Sequence, residues 1–151
     1  MGISVFVEVE KESEPPVRER TDGKALADIV AGWIWYPNIV DLVGLSDASE
    51  EALQRVEMSD LEPYTDPKKK PEAKDVWQNP EVVRAALEEL REIFRRMSSN
   101  PSLIEDMEMR AQDNFYRDVL ADGTYDIAIE DGIKVCEWAG QRNRRVRLKA
   151  L

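Results

Sequence analysis

The sequence predicts an α+β fold: a small sheet holding both the N-terminal and the C-terminal strands, packed by about four helices that include an antiparallel hairpin. Three observations predict it. Residues Ile3 to Glu10 alternate, with Ile3, Val5, Val7 and Val9 on one side and Ser4, Phe6, Glu8 and Glu10 on the other, the period of a half-buried strand. Val146, Leu148 and Ala150 alternate in the same way with Arg145, Arg147 and Lys149. Between these stretches, apolar residues recur at steps of three and four, the period of a helix with one buried face.

The two alternating stretches carry opposite charges on their polar sides. Facing acid–base pairs stabilise neighbouring strands by roughly 0.2–1 kcal/mol each, so the two are expected to lie side by side. Two strands alone are marginal. A third is therefore expected, with Trp33 to Leu45 as the candidate.

The elements follow in order. Glu12 to Thr21 contains Pro15-Pro16 and mixed charges and reads as an exposed connector. Asp22 to Tyr36 places Leu26, Ile29, Val30 and Trp33 at helical spacing, with Pro37 as a stop. Ser46 is an N-cap residue type and starts a helix predicted from about Asp47 to Glu57. Residues 58–78 hold Pro63, Pro67 and Pro71 around Lys68-Lys69-Lys70, which reads as a loop of unusual length.

Asn79-Pro80 combines a strong cap with a proline suited to the first helical position. Val83, Leu87, Leu90, Phe94 and Met97 then form a stripe, widened by Val82, Ala86 and Ile93. Asn100-Pro101 repeats the start signal before Ile104, Met107, Ala111, Phe115 and Val119. The short break between these two stripes predicts the hairpin. Tyr125 to Gly140 has features of both periods. Ile129, Ile133, Cys136 and Ala139 favour a helix that ends near Gly140.

Length and composition bound the function. The 151 residues fit a single domain, and 42% hydrophobic with 34% charged residues suits a globular chain. Histidine is absent and cysteine occurs once. Those counts rule out a Ser-His-Asp or Cys-His catalytic set, a Cys/His zinc site and an internal disulfide framework. The longest apolar runs are far short of the roughly 20 residues that span a bilayer. The N-terminal stretch lacks the basic start of a signal peptide, so a cytoplasmic protein is expected. A net charge of −10 disfavours nucleic acid as a partner and favours a basic protein.

The acids are unevenly placed. From Glu105 to Asp131 about nine acids face only Arg110 and Arg117. Asp113, Asp118, Asp122 and Asp126 are accordingly the candidate partner-binding acids. Trp33, Trp35 and Tyr36 cluster nearby in sequence. In a helix Trp33 and Trp35 cannot share a face, so Trp35 with Tyr36 is the candidate aromatic anchor.

One catalytic constellation remains. Glu89-x-x-Glu92 and Glu105-x-x-Glu108 could supply hard oxygen ligands to Mg²⁺ from facing helices. The spacing is similar to that of the all-α nucleoside triphosphate pyrophosphohydrolases, the MazG-like family, whose pattern ends in Asp where this chain has Glu108. The resemblance implies a Mg²⁺-dependent phosphohydrolase built on Glu89, Glu92, Glu105 and Glu108. The helical wheel opposes it: at about 100° per residue, Glu92 lies roughly 150° and Glu105 roughly 120° from the centres of their apolar stripes. Both should face water.

The expectation is thus a small acidic cytoplasmic protein-binding module without catalysis or cofactor of its own. It would hold or neutralise a basic protein partner, with no nucleic acid or membrane involved. Bacterial immunity proteins are acidic small domains of this general kind, a likeness of composition.

Overall fold

The computed structural model describes residues 4–18, 20–21, 23, 26, 44–58, 75–99 and 123–151. Within them the element order is β1 (Val5–Val9), α1 (Asp47–Gln54), β2 (Val56–Glu57), α2 (Pro80–Ser98), α3 (Thr124–Gly140) and β3 (Val146–Ala150). The architecture is α+β, with three strands and three helices among the described residues. Of the helix expected at 22–36 only Gly23 and Leu26 are described: Leu26 is helical, but Gly23, at φ +77°, is not, so the helix does not start at Asp22. The second helix of the hairpin lies outside the described residues, as does the candidate strand at 33–45 except for Gly44 and Leu45, which are not in a strand. No described helix is long and apolar enough to cross a membrane.

The strand order is β1-β3-β2. β1 and β3 pair antiparallel with Glu8 opposite Arg147 and Phe6 opposite Lys149. The charge match read from the two alternating stretches is therefore the register adopted. Val5, Val7 and Val9 are buried on one face with Val146, Leu148 and Ala150.

The third strand is Val56–Glu57, parallel to β3. A third strand is thus present, as expected, and one expectation is corrected. The helix starting after Ser46 ends at Gln54, not Glu57, and the third strand follows it directly. The chain turns at Arg55 (φ −83°, ψ 80°), and β-branched Val56 enters the sheet with Val56 facing Leu148. Gln78 closes the same side of β3. Its N–H and C=O exchange hydrogen bonds with Val146 at 2.8 and 2.9 Å, and its side chain donates to the Ala52 carbonyl at 2.9 Å. A buried amide so placed leaves few polar groups unmet.

α2 starts as its sequence predicts: the Asn79 side chain accepts from the Glu81 N–H at 2.9 Å. Val83, Ala86, Leu87, Leu90, Ile93 and Phe94 are buried. Val82, expected to widen that stripe, is 48% exposed; at about 100° per residue it lies roughly 100° from Val83, at the edge of the stripe. α3 is the helix expected for Tyr125 to Gly140, with Ile129, Ile133, Cys136 and Ala139 all buried. The Phe94 and Tyr125 rings meet edge to face at 5.3 Å.

α3 packs on both α2 and β1, and Gly132 faces both. A Cβ there would sit 3.1 Å from Leu87 Cδ1 and 3.2 Å from Val7 Cγ2, tight for any larger side chain.

Leu87 sits at this three-way junction with 0% exposure. Leu87→Ala is expected to cost about 2–5 kcal/mol in urea titration. Val82→Ala, on the exposed side of the same helix, should stay within about 0.5 kcal/mol. Equal losses at the two positions would contradict this packing.

Candidate functional site

The residues read as functional divide into two groups. Trp35, Tyr36, Asp113, Asp118, Asp122, Glu105 and Glu108 lie outside the described residues. Asp126, Glu89 and Glu92 are described, and their surroundings can be built up.

Asp126 is in the first turn of α3, and α2 passes beside it with Arg91 and Arg95 one helical turn apart. Arg91 Nε and Nη2 reach its two carboxylate oxygens at 3.0 and 3.1 Å. Arg95 Nε donates at 2.9 Å. Hydrogen bonds from Arg91 outweigh the desolvation that opposes them and, with Arg95, hold the Asp126 carboxyl at about 2, below its ordinary 3.8. Asp126 thus joins α2 to α3.

Glu89 has a comparable task. Its carboxylate accepts from the Ser46 N–H at 2.7 Å and the Ser46 hydroxyl at 2.8 Å, and also from the Ser49 hydroxyl. Ser46 is the N-cap of α1, so α2 supplies an anion to the positive end of α1. The Ser49 hydrogen bond is the first cause of a Glu89 carboxyl held below its ordinary range, with Ser46 adding to it. Glu92, on the same helix, is exposed, as the wheel predicts. The two carboxylates therefore point to different tasks. Among the described residues no group of three or more Asp, Glu or Cys side chains could hold a metal ion.

The structure adds a buried carboxylate that sequence reasoning missed. Asp131 is 1% exposed and accepts from the Arg20 backbone N–H at 2.9 Å and from Arg20 Nε at 2.8 Å. Glu130 joins this group, 3.3 Å from Arg20 and 3.4 Å from Lys134. The pair clips the connector after β1 onto α3. It spans 111 positions in the chain, and no local spacing announces it.

The polar side of the sheet is charged and self-compensating. Arg147 Nε donates to Glu8 at 2.8 Å, and its Nη1 lies 3.6 Å from Glu57. Its guanidinium stacks 4.4 Å from the centroid of the Trp77 ring, a cation–π contact. Arg145 bonds Glu10 at 3.1 Å and approaches Asp75 at 3.6 Å. Arg144 pairs with Glu12. Arg142 stacks on Trp138 at 4.0 Å. The basic cluster near the C-terminal strand is thus taken up by acids and indole rings. That outcome goes further than the Glu8 and Glu10 pairing expected from the sequence.

Cys136 is fully buried, as expected of a core residue. Burial pushes its thiol up to about 12.

No protein family, curated protein or solved structure matches the chain.

Two outcomes are expected from this geometry. Asp126 has a folded pKa below its unfolded one, so its contribution is complete above about pH 4 and disappears as pH falls toward 2. Asp126→Asn should therefore be less stable than the parent chain by about 1–2 kcal/mol at pH 6. The gap should narrow below about pH 4 and be mostly gone at pH 2, as read from urea melts across that range. In thiol labelling at pH 8, Cys136 should react only after denaturation; rapid labelling of the native chain would contradict its burial.

Proposed function

We propose that the chain is a small protein-binding module of the cytoplasm that holds a basic protein partner and carries no catalysis of its own, in the manner of an immunity or adaptor protein. One observation supports this reading above others: the described body compensates most of its own charge. Most of its arginines sit in ion pairs with its own acids, and its acids and bases are nearly balanced in number. The surplus behind the net −10 is concentrated elsewhere in the chain. Residues 100–122 alone hold six acids against Arg110 and Arg117, and Asp113, Asp118 and Asp122 are among them. A stretch in which acids so outnumber bases can steer a cation-rich surface and speed its association.

Asp126 drops out of the partner-binding set under this reading, since Arg91 and Arg95 already occupy it. Its neighbours in the sequence, Asp113, Asp118 and Asp122, carry the proposal. The phosphohydrolase alternative loses support at Glu89, whose oxygens are engaged by Ser46 and Ser49.

The test uses the tagged full chain as bait in extracts of its source cell. One basic protein should be retained in stoichiometric amount at low salt and released as ionic strength rises toward about 0.5 M. Asp113→Asn, Asp118→Asn and Asp122→Asn combined should slow its association about ten-fold. Retention that ignores both salt and the triple variant would overturn the reading. A melting midpoint that climbs with Mg²⁺ concentration would instead favour the phosphohydrolase.

A further inference from the structure

The residues that follow β1 fold back beside it and leave a groove of about 390 Å³. That is within the roughly 300–1,000 Å³ range of ligand-holding clefts. Its apolar lining comes from Phe6, Pro15, Pro16 and Leu151. Phe6 is on the polar side of the sheet, away from the valine core, and would otherwise be a costly residue to leave half exposed. Gly23 abuts one side of its ring. A Cβ at Gly23 would be 2.8 Å from Phe6 Cζ, and the residue sits at φ +77°, a conformation suited to glycine. The two prolines bring a wall with φ already fixed, so little backbone freedom is left to lose on binding.

The charged groups of the groove are mainly acids, beside the hydroxyls of Ser13 and Thr21. Glu8, Glu12 and Glu14 line it, with Lys149 the one base among the described lining residues. Glu8 is bonded to Arg147 and Glu12 is paired with Arg144. Glu14 has no ion pair or hydrogen bond among the described residues, and it is exposed. An aromatic ring, two prolines and one uncommitted carboxylate form a particular combination. They suit a side chain with an apolar stem and a planar cationic head.

We propose that this groove is the docking site for an arginine-bearing extended segment of the basic partner, with Phe6, Pro15 and Pro16 against the arginine stem and Glu14 meeting its guanidinium. Arginine fits better than lysine because its planar head stacks on an aromatic face while it pairs with a carboxylate. Its methylenes lie along apolar surface as the charge stays near water. The proposal rests on the basic-partner reading and assigns that partner a point of attachment that does not require Asp113, Asp118 or Asp122.

The test titrates the ¹⁵N-labelled full chain with acetyl-Leu-Arg-Leu-amide, and with acetyl-Leu-Glu-Leu-amide as the control. The arginine peptide should shift the amides of Phe6, Glu14 and Leu151 saturably, and the glutamate peptide should not. Glu14→Gln, at an exposed site, should weaken the arginine peptide two- to five-fold, as expected for a pair in contact with solvent. Phe6→Leu keeps an apolar side chain but loses the ring, and should also weaken it. Equal shifts from both peptides, shifts confined to other residues, no shift up to about 10 mM, or indifference to Glu14→Gln would each overturn the proposal. The bait experiment separates the two readings. A basic partner held undiminished by the Glu14→Gln chain but lost by the triple aspartate variant would sink the groove alone. Peptide binding with no basic partner retained would sink the basic-partner reading alone.

Discussion

The pairing of β1 with β3 is the contact on which the rest of the body depends. β3 is the middle strand, hydrogen-bonded to both β1 and β2, and Gln78 bonds to it as well. The sheet's buried face is six residues from β1 and β3 with Val56 added, and α3 lies on β1. Slipping β1 by one residue would turn its valines outward and bury Glu8 instead. The cross-strand ion pairs therefore do more for register than for stability, where exposed pairs contribute little.

A second theme is the use of acids as fasteners between elements. Glu89 reaches from α2 to the start of α1. Asp126 ties α3 back to α2, and Asp131 holds the connector at Arg20. Each carboxylate accepts several hydrogen bonds, which is what makes a partly or fully buried anion tolerable. Asp131 is the most demanding of the three, because a buried carboxylate deprived of its partner costs far more than a surface one. An acid-rich sequence can thus look like an open acidic surface while a good share of its carboxylates are structural.

How much of this was legible in the sequence depends on the range of each signal. β1 and β3 were readable because alternation is local and their opposite charges imply each other. The start of α2 was readable because Asn79-Pro80 is a local capping signal, and α3 because Ile129, Ile133, Cys136 and Ala139 share one helical face. β2 was not: two residues have no period, and Val56 looked like the last apolar position of the preceding helix. Val82 lies at the edge of the α2 stripe, where angular position alone does not decide burial. Glu89 and Asp126 were noticed as acids, but their roles are set by Ser46, Arg91 and Arg95, distant in the chain. Arg20 and Asp131 left no trace in any spacing. Trp35, Tyr36 and the acids from Glu105 to Asp122 fall outside the described residues.

The position of β3 also has a consequence for the order of events during synthesis. It follows every other described element in the chain, yet it is the strand between β1 and β2. Until residues 146–150 leave the ribosome, β1 and β2 have no common neighbour. The apolar sides of β1 and α2 then have no finished sheet to close on. Chains emerge at roughly 5–20 residues per second, so Val5, Val7 and Val9 wait for about 7–28 seconds before their partners exist. Pairing across so long a separation is slow to form and leaves apolar surface uncovered meanwhile. Glu8 and Glu10, interleaved with those valines, keep the waiting strand charged, a known guard against pairing with another chain.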